Sequence, residues 1–152
     1  MPDRKDEIDI FFENLQKYIW ADSSESFSEK VVELAYEPEN VGEIENPDGF
    51  SHVRGSCGDS IQISLKFDNR RISDIKFLSD GCAATIACGS AITILAKDKT
   101  REQAEKLTPW NLLDFLHDLP ASHSHCAELA VDAFKKALKS VNNKSKKGGN
   151  ND

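Results

Sequence analysis

The sequence predicts an α+β domain, a small antiparallel sheet of about three strands packed against several helices. The first reason is an alternation. Ile61, Ile63, Leu65 and Phe67 point one way while Ser60, Gln62, Ser64 and Lys66 point the other, the period of a half-buried strand. Ile75 and Phe77 resume the apolar face after the turn Asp68-Asn69-Arg70-Arg71, and so short a connection makes the two strands antiparallel. On both sides of this hairpin the spacing becomes helical and cap residues precede it, so helices flank the sheet.

Taken in order, residues 5–20 set Ile8, Phe11, Phe12, Leu15, Tyr18 and Ile19 on one stripe of an amphipathic helix, with Lys5, Asp6, Glu13 and Lys17 outside it. That stripe needs a cover, from its own domain, from a partner or from a second copy in a homodimer. Polar residues 22–26 read as a loop, and Ser26 or Ser28 caps a helix over 29–36 that stops before Pro38. Residues 43–49 are turn-rich, and 50–54 form a first short strand leading to Gly55 and Cys57. After the hairpin, 83–96 is a helix of small residues suited to close packing on a sheet, with Ile86, Ile92, Ile94 and Leu95 as its bulk. Thr100-Arg101-Glu102-Gln103 has capping-box spacing, and Thr108-Pro109 sets a cap and a first-turn proline ahead of 110–116. Leu119-Pro120 breaks the chain, and Ser122 or Ser124 starts a last helix with Leu129, Ala133, Phe134, Ala137 and Leu138 as its core stripe. Beyond Ser140 the composition turns to Asn, Lys, Ser and Gly, which reads as a disordered tail. The expected division is an N-terminal extension over 1–26, a domain over 27–140 and a tail over 141–152.

A chain of 152 residues is expected to form one core, burying roughly two thirds of its unfolded surface without staples. Its net charge of −7 argues against nucleic acid, which needs a clustered basic surface, and the only basic cluster is Lys144, Lys146 and Lys147 in the tail. No apolar run approaches the roughly 18 residues of a membrane span. Four cysteines with no secretory signal read as reduced thiols, and the start Met-Pro-Asp-Arg-Lys-Asp-Glu is too acidic for a mitochondrial presequence. The expected location is cytoplasmic.

The chemistry centres on residues 81–90, where a strand-like run ends at Gly81 and Cys82 opens the small-residue helix. Unpaired N–H groups and the positive dipole end favour a thiolate there. A lone buried cysteine is usually a small apolar residue, but Cys57 precedes Gly58 and the acidic Asp59, and Cys126 follows His123 and His125. Cores rarely look like that. Because Cys57 precedes one strand of the hairpin and Cys82 follows the other, antiparallel pairing brings both to one end of the sheet. Cys88 sits about 240° round the helix from Cys82 and reads as core. His123 is expected to face solvent, and His52 and His117 to be surface or packing residues. Three thiolates with Asp59 or His125 suit a thiophilic centre, zinc or an iron-sulfur cluster, and the absence of CxxC knuckles weakens a structural zinc module.

At these residues the chain resembles the IscU/NifU-type iron-sulfur cluster scaffold proteins, over about residues 27–138. The segment from Phe27-Ser28-Glu29-Lys30-Val31-Val32 to Glu37-Pro38-Glu39-Asn40-Val41-Gly42 is similar to the family's opening stretch. Cys57-Gly58-Asp59 is similar to its first cysteine motif and Gly81-Cys82 to its second. His125-Cys126 with Ala130-Val131-Asp132-Ala133 is similar to its third. The resemblance implies the IscU/SufE-like α+β fold. It also implies that Cys57, Cys82 and Cys126, with Asp59 and His125 as further ligands, hold a nascent 2Fe-2S cluster built from iron and the sulfur of a cysteine desulfurase partner, and pass it to recipient apo-proteins. Zinc in the same site, as in a sulfurtransferase-like persulfide acceptor, is the rival reading. The branch of that kind carries an insertion between its second and third cysteines, for which the 44 positions from Cys82 to Cys126 leave no room. Where many members carry a Leu-Pro-Pro-Val-Lys segment recognised by a chaperone, this chain has Leu119-Pro120-Ala121-Ser122-His123, which puts the chaperone partner in question.

Overall fold

The computed structural model describes residues 27–56 and 58–150, with the backbone alone for 142–150. The amphipathic stripe expected over 5–20, the loop over 22–26 and the side chain of Cys57 lie outside the described residues. Helix α1, Glu29–Tyr36, starts where Ser28 Oγ accepts the N–H of Val31 at 3.1 Å, which settles the cap on Ser28. Its face Val31, Leu34 and Ala35 is buried. The Ser28 hydroxyl donates in turn to the carbonyl of Leu116, tying the start of α1 to a distant turn.

Strands β1 (Gly49–Arg54), β2 (Ser60–Asp68) and β3 (Arg71–Ser79) form one antiparallel sheet in the order β1-β2-β3. Asn69 and Arg70 both have positive φ, the backbone a two-residue hairpin needs to match the strand twist. A register shift at Lys66 and Phe67 bends β2 next to that turn. At the opposite end Arg54 pairs with Ser60 and Ile61 with Ser79, so the β1–β2 loop and the exit of β3 share one edge of the sheet. Asp80 clamps this edge, its Oδ1 accepting the N–H and hydroxyl of Ser60 at 2.9 and 3.0 Å, bonds that hold its carboxyl below the usual carboxylate range.

Helix α2, Ala83–Ala96, crosses the sheet and is buried nearly all round, including Ala84, Ala87, Cys88, Ala91 and Ile92. Its small residues let the sheet, α1 and the last helix approach together. Of the residues read as its bulk only Ile92 is fully buried, while Ile86, Ile94 and Leu95 are half-buried against the core. Helix α3 (Arg101–Glu105) has the expected capping box, Thr100 with Gln103. In α4 (Pro109–Phe115) Asn111 Oδ1 reaches back to the Thr108 N–H at 2.8 Å.

A 3-10 turn over Ala121–His123 leads into α5, Ser124–Asn150. Cys126, Ala130, Ala133, Phe134 and Ala137 on α5 are fully buried. Ser51 Oγ donates to the Ala133 carbonyl at 2.6 Å, and a Cβ on Gly49 would lie 2.5 Å from the Ala137 carbonyl oxygen, so β1 lies directly on α5. The helix continues past Ser140, which corrects the reading of 141–150 as a disordered tail. A helix already nucleated by packing gains one hydrogen bond per added residue, and Asn, Lys and Ser do not stop it. Among the described residues no helix is long and apolar enough to cross a membrane.

Candidate metal centre

The candidate centre lies at the sheet edge shared by the β1–β2 loop and the exit of β3. Gly81 follows β3 with its N–H donated to Ser79 Oγ at 3.0 Å, and Cys82 is the N-cap residue of α2 in extended conformation. Its side chain makes no cap bond, which leaves the sulfur free to face the site. Cys126 sits in the first turn of α5. The Cys82 and Cys126 sulfurs and a ring nitrogen of His123 all lie within 4.8 Å of one another. Soft donors at that separation, carried by separate elements, can close on a thiophilic metal with small side-chain movements.

The two thiols are shifted in opposite directions. The neighbouring Cys126 thiol is the largest influence favouring the Cys82 thiolate, and the nearby N–H groups of Thr85 and Ala84 add to it, against the cost of burial. The Cys82 thiol is thereby held down to about 5. The neighbouring Cys82 and burial push Cys126 the other way. The sequence argument for a Cys82 thiolate rested on the helix N-terminus alone; here those N–H groups assist a larger contribution from Cys126.

Asp59, in the β1–β2 loop, is held by its backbone carbonyl accepting the Gly55 N–H at 2.7 Å. Its Oδ2 accepts the Thr85 hydroxyl at 2.8 Å, and the same Thr85 oxygen stands 3.3 Å from Cys126 Sγ and 3.6 Å from Cys82 Sγ. Asp59 is therefore one hydroxyl removed from the sulfurs. Thr85 was passed over in the sequence as one more small helix residue; its signal was its place three after Cys82, on the same helix face.

His125 Nε2 lies 3.8 Å from Cys126 Sγ, but the ring is half-buried along a cleft with Arg54, Ser56 and Glu128 and does not join the three-atom group. His123, expected to face solvent, is half-buried with its ring 5.3 Å from that of Phe27 and belongs to the group. Residues three apart share a helical face, so His123 meets Cys126 and Cys82 together, whereas His125 reaches Cys126 from outside that group. Cys88 is fully buried in the core, where desolvation pushes its thiol up. Cys57 lies outside the described residues, although Ser56 and Gly58 on either side of it belong to the loop at this edge. A larger cavity of about 790 Å³, lined by Asp48, Phe67, Arg70 and Arg101, contains none of these residues.

The fold is a three-stranded α+β sheet with two thiols and an imidazole gathered at one edge, donors of the kind that suit a soft metal. Residues 26–148 match the family described as NifU-like N terminal domain, and the chain belongs to it. It is similar to the iron-sulfur cluster assembly scaffold protein IscU 1 of Archaeoglobus fulgidus, 43% identical over 113 residues covering 74% of each chain. It is also similar to the iron-sulfur cluster assembly scaffold protein IscU of Haemophilus influenzae, 37% identical over 118 residues covering 74% of this chain and 93% of that one. The fold is that of a nitrogen-fixing NifU-like protein (N-terminal) from Brucella abortus, with a TM-score of 0.61 at 16% identity, covering 86% of this chain and 99% of that one.

Proposed function

We propose that this chain is a scaffold on which a 2Fe-2S cluster is assembled from iron and desulfurase-derived sulfur and then passed to apo-proteins. The gathering of Cys82, His123 and Cys126 within 4.8 Å carries this reading, and the naming of the family's curated members as iron-sulfur scaffolds supports it. The zinc-binding, sulfurtransferase-like alternative is not favoured, because those relatives are named as scaffolds. The scaffold domain is the segment 27–140, its function is to hold and hand over cargo rather than turn over a substrate, and its compartment is the cytoplasm.

Iron and sulfide are the cargo. Cys82 and Cys126 supply two thiolates and Cys57 a third; Asp59 and an imidazole complete the set, with His123 in the role the sequence gave to His125. The thiol proton of Cys126 leaves as metal enters, so loading is favoured by rising pH. A carboxylate is a hard oxygen ligand, so Asp59 suits a single divalent ion but weakens retention of a sulfide-bridged cluster and makes that cargo transferable. The sulfur donor is a pyridoxal-phosphate cysteine desulfurase. In place of the chaperone-recognised segment, residues 119–123 carry His123 into the site, so a chaperone would need a different contact.

The test is anaerobic incubation of the apo-protein with ferrous iron, cysteine, a thiol reductant and a desulfurase, followed by addition of an apo-ferredoxin. A brown protein with visible charge-transfer absorption that fades as the ferredoxin gains its own spectrum is the expected result. A protein that stays colourless while binding zinc would overturn it. Asp59→Ala is expected to hold its cluster longer and pass it on more slowly than the natural chain.

A further inference from the structure

We propose that Thr85 is the positioning residue of this site, its hydroxyl holding the Asp59 carboxylate beside the two sulfurs. Thr85 is fully buried, and its Oγ1 meets Asp59 Oδ2 at 2.8 Å, Cys126 Sγ at 3.3 Å and Cys82 Sγ at 3.6 Å. A hydroxyl has a single hydrogen. The carboxylate is the strongest acceptor of the three and the closest, so the hydrogen goes chiefly to Asp59. One side chain thus joins the β1–β2 loop, the start of α2 and the start of α5.

The chain leaves room for this arrangement. A Cβ on Gly81 would lie 2.7 Å from Thr85 Cβ and 2.9 Å from Asp59 Oδ2, too close for either to stay. Glycine at 81 is therefore a condition of the Asp59–Thr85 bond, independent of the bond itself. Without the hydroxyl, Asp59 loses the contact that links it to α2, and its loop can carry the carboxylate away from the sulfurs. Residues that orient a ligand from behind commonly change metal affinity by about 10- to 100-fold when removed.

The inference rests on the reading of Asp59 as a ligand to the metal cargo, and its test avoids cluster assembly. The full-length apo-protein is titrated anaerobically with Co²⁺ alone, following thiolate charge-transfer and d–d absorption. Thr85→Val keeps the shape and removes the hydroxyl; Thr85→Ser keeps the hydroxyl. Asp59→Ala and Thr85→Val are each expected to weaken Co²⁺ binding by about 10-fold, the double variant to be no weaker than Asp59→Ala alone, and Thr85→Ser to bind like the natural chain. Multiplied losses in the double variant, natural affinity in Thr85→Val, or a Thr85→Ser as weak as Thr85→Val would each overturn the proposal. An Asp59→Ala that binds normally would do the same. Circular dichroism checks each fold, and Thr85→Ala, smaller and also without hydroxyl, replaces Thr85→Val if valine is not accommodated. Should this Co²⁺ pattern hold while reconstitution gives no brown protein, the scaffold reading fails and the Thr85 role stands.

Discussion

His123 and Cys126, three residues apart, turn their ligating atoms into the same space, and both lie within 4.8 Å of Cys82 Sγ. The 3-10 turn over Ala121–His123 puts His123 one turn ahead of Cys126, where the helix itself aligns them. His123→Ala is therefore expected to weaken Co²⁺ or Zn²⁺ binding by about 10-fold or more, and His125→Ala by clearly less. Paired metal titrations check this. Equal losses, or a larger loss at His125, would return the ligand role to the residue beside Cys126.

The lowered Cys82 thiol should make this residue selectively reactive. Its folded-state pKa of about 5 lies below that of an unfolded thiol, so iodoacetamide should label Cys82 with a rate that rises around pH 5. At pH 6.5 Cys126 and Cys88, both pushed up, should remain unlabelled. The same sign governs stability: the Cys82 thiolate contributes fully above the unfolded thiol value, and that contribution is lost as pH falls through about 5. Cys126→Ala removes the largest of these influences and should move the labelling midpoint upward. Peptide mass spectrometry after timed labelling reads both, and a natural chain whose Cys82 profile centres near 9 would rule out a lowered Cys82 thiol.

The parts of the structure legible in the sequence are those with local causes. Alternation placed β2 and β3, cap residues placed α1, α3 and α4, and hairpin geometry brought the Cys82 end of the sheet beside the β1–β2 loop. What escaped depends on how a helix is rotated in its surroundings. Thr85 and His123 are each three residues from a site cysteine, but the composition of a small-residue helix and of a loop gave no cue that those faces were the ones turned to the site. Ile86, Ile94 and Leu95 carry apolar bulk, yet α2 buries its small residues because three neighbours press on it at once.

Cys88 stands apart from the cysteines that converge at the sheet edge. It is fully buried in the core and absent from the group of converging ligands. Cys88→Ala should bind Co²⁺ as the natural chain does while losing about 1 kcal/mol of stability, the scale of one buried methylene. Cys82→Ala and Cys126→Ala should instead lose most of the charge-transfer absorption. Loss of metal binding in Cys88→Ala at unchanged stability would place a fourth thiol in the site.

The approach of α2 to the sheet is set by Gly89 against Phe77. A Cβ at 89 would lie 2.5 Å from two carbons of the Phe77 ring, itself only 1% exposed in the middle of β3. Two effects of Gly89→Ala oppose each other. Alanine favours the helix by about 1 kcal/mol, whereas forcing a methyl into a packed interface costs roughly 1 to 3 kcal/mol. The ring has little room to yield, since Phe77 also pairs with Ile63 on the neighbouring strand, so the packing cost should win. Gly89→Ala is expected to melt lower, and adding Phe77→Leu, which withdraws the ring, should recover part of the loss. Moving α2 outward also moves Cys82 relative to Cys126, so Co²⁺ binding should weaken in Gly89→Ala and recover with the second substitution. Thermal unfolding and metal titration of the same three proteins test both links. A Gly89→Ala protein that melts higher and binds Co²⁺ unchanged would show that α2 can ride on the sheet without disturbing the site.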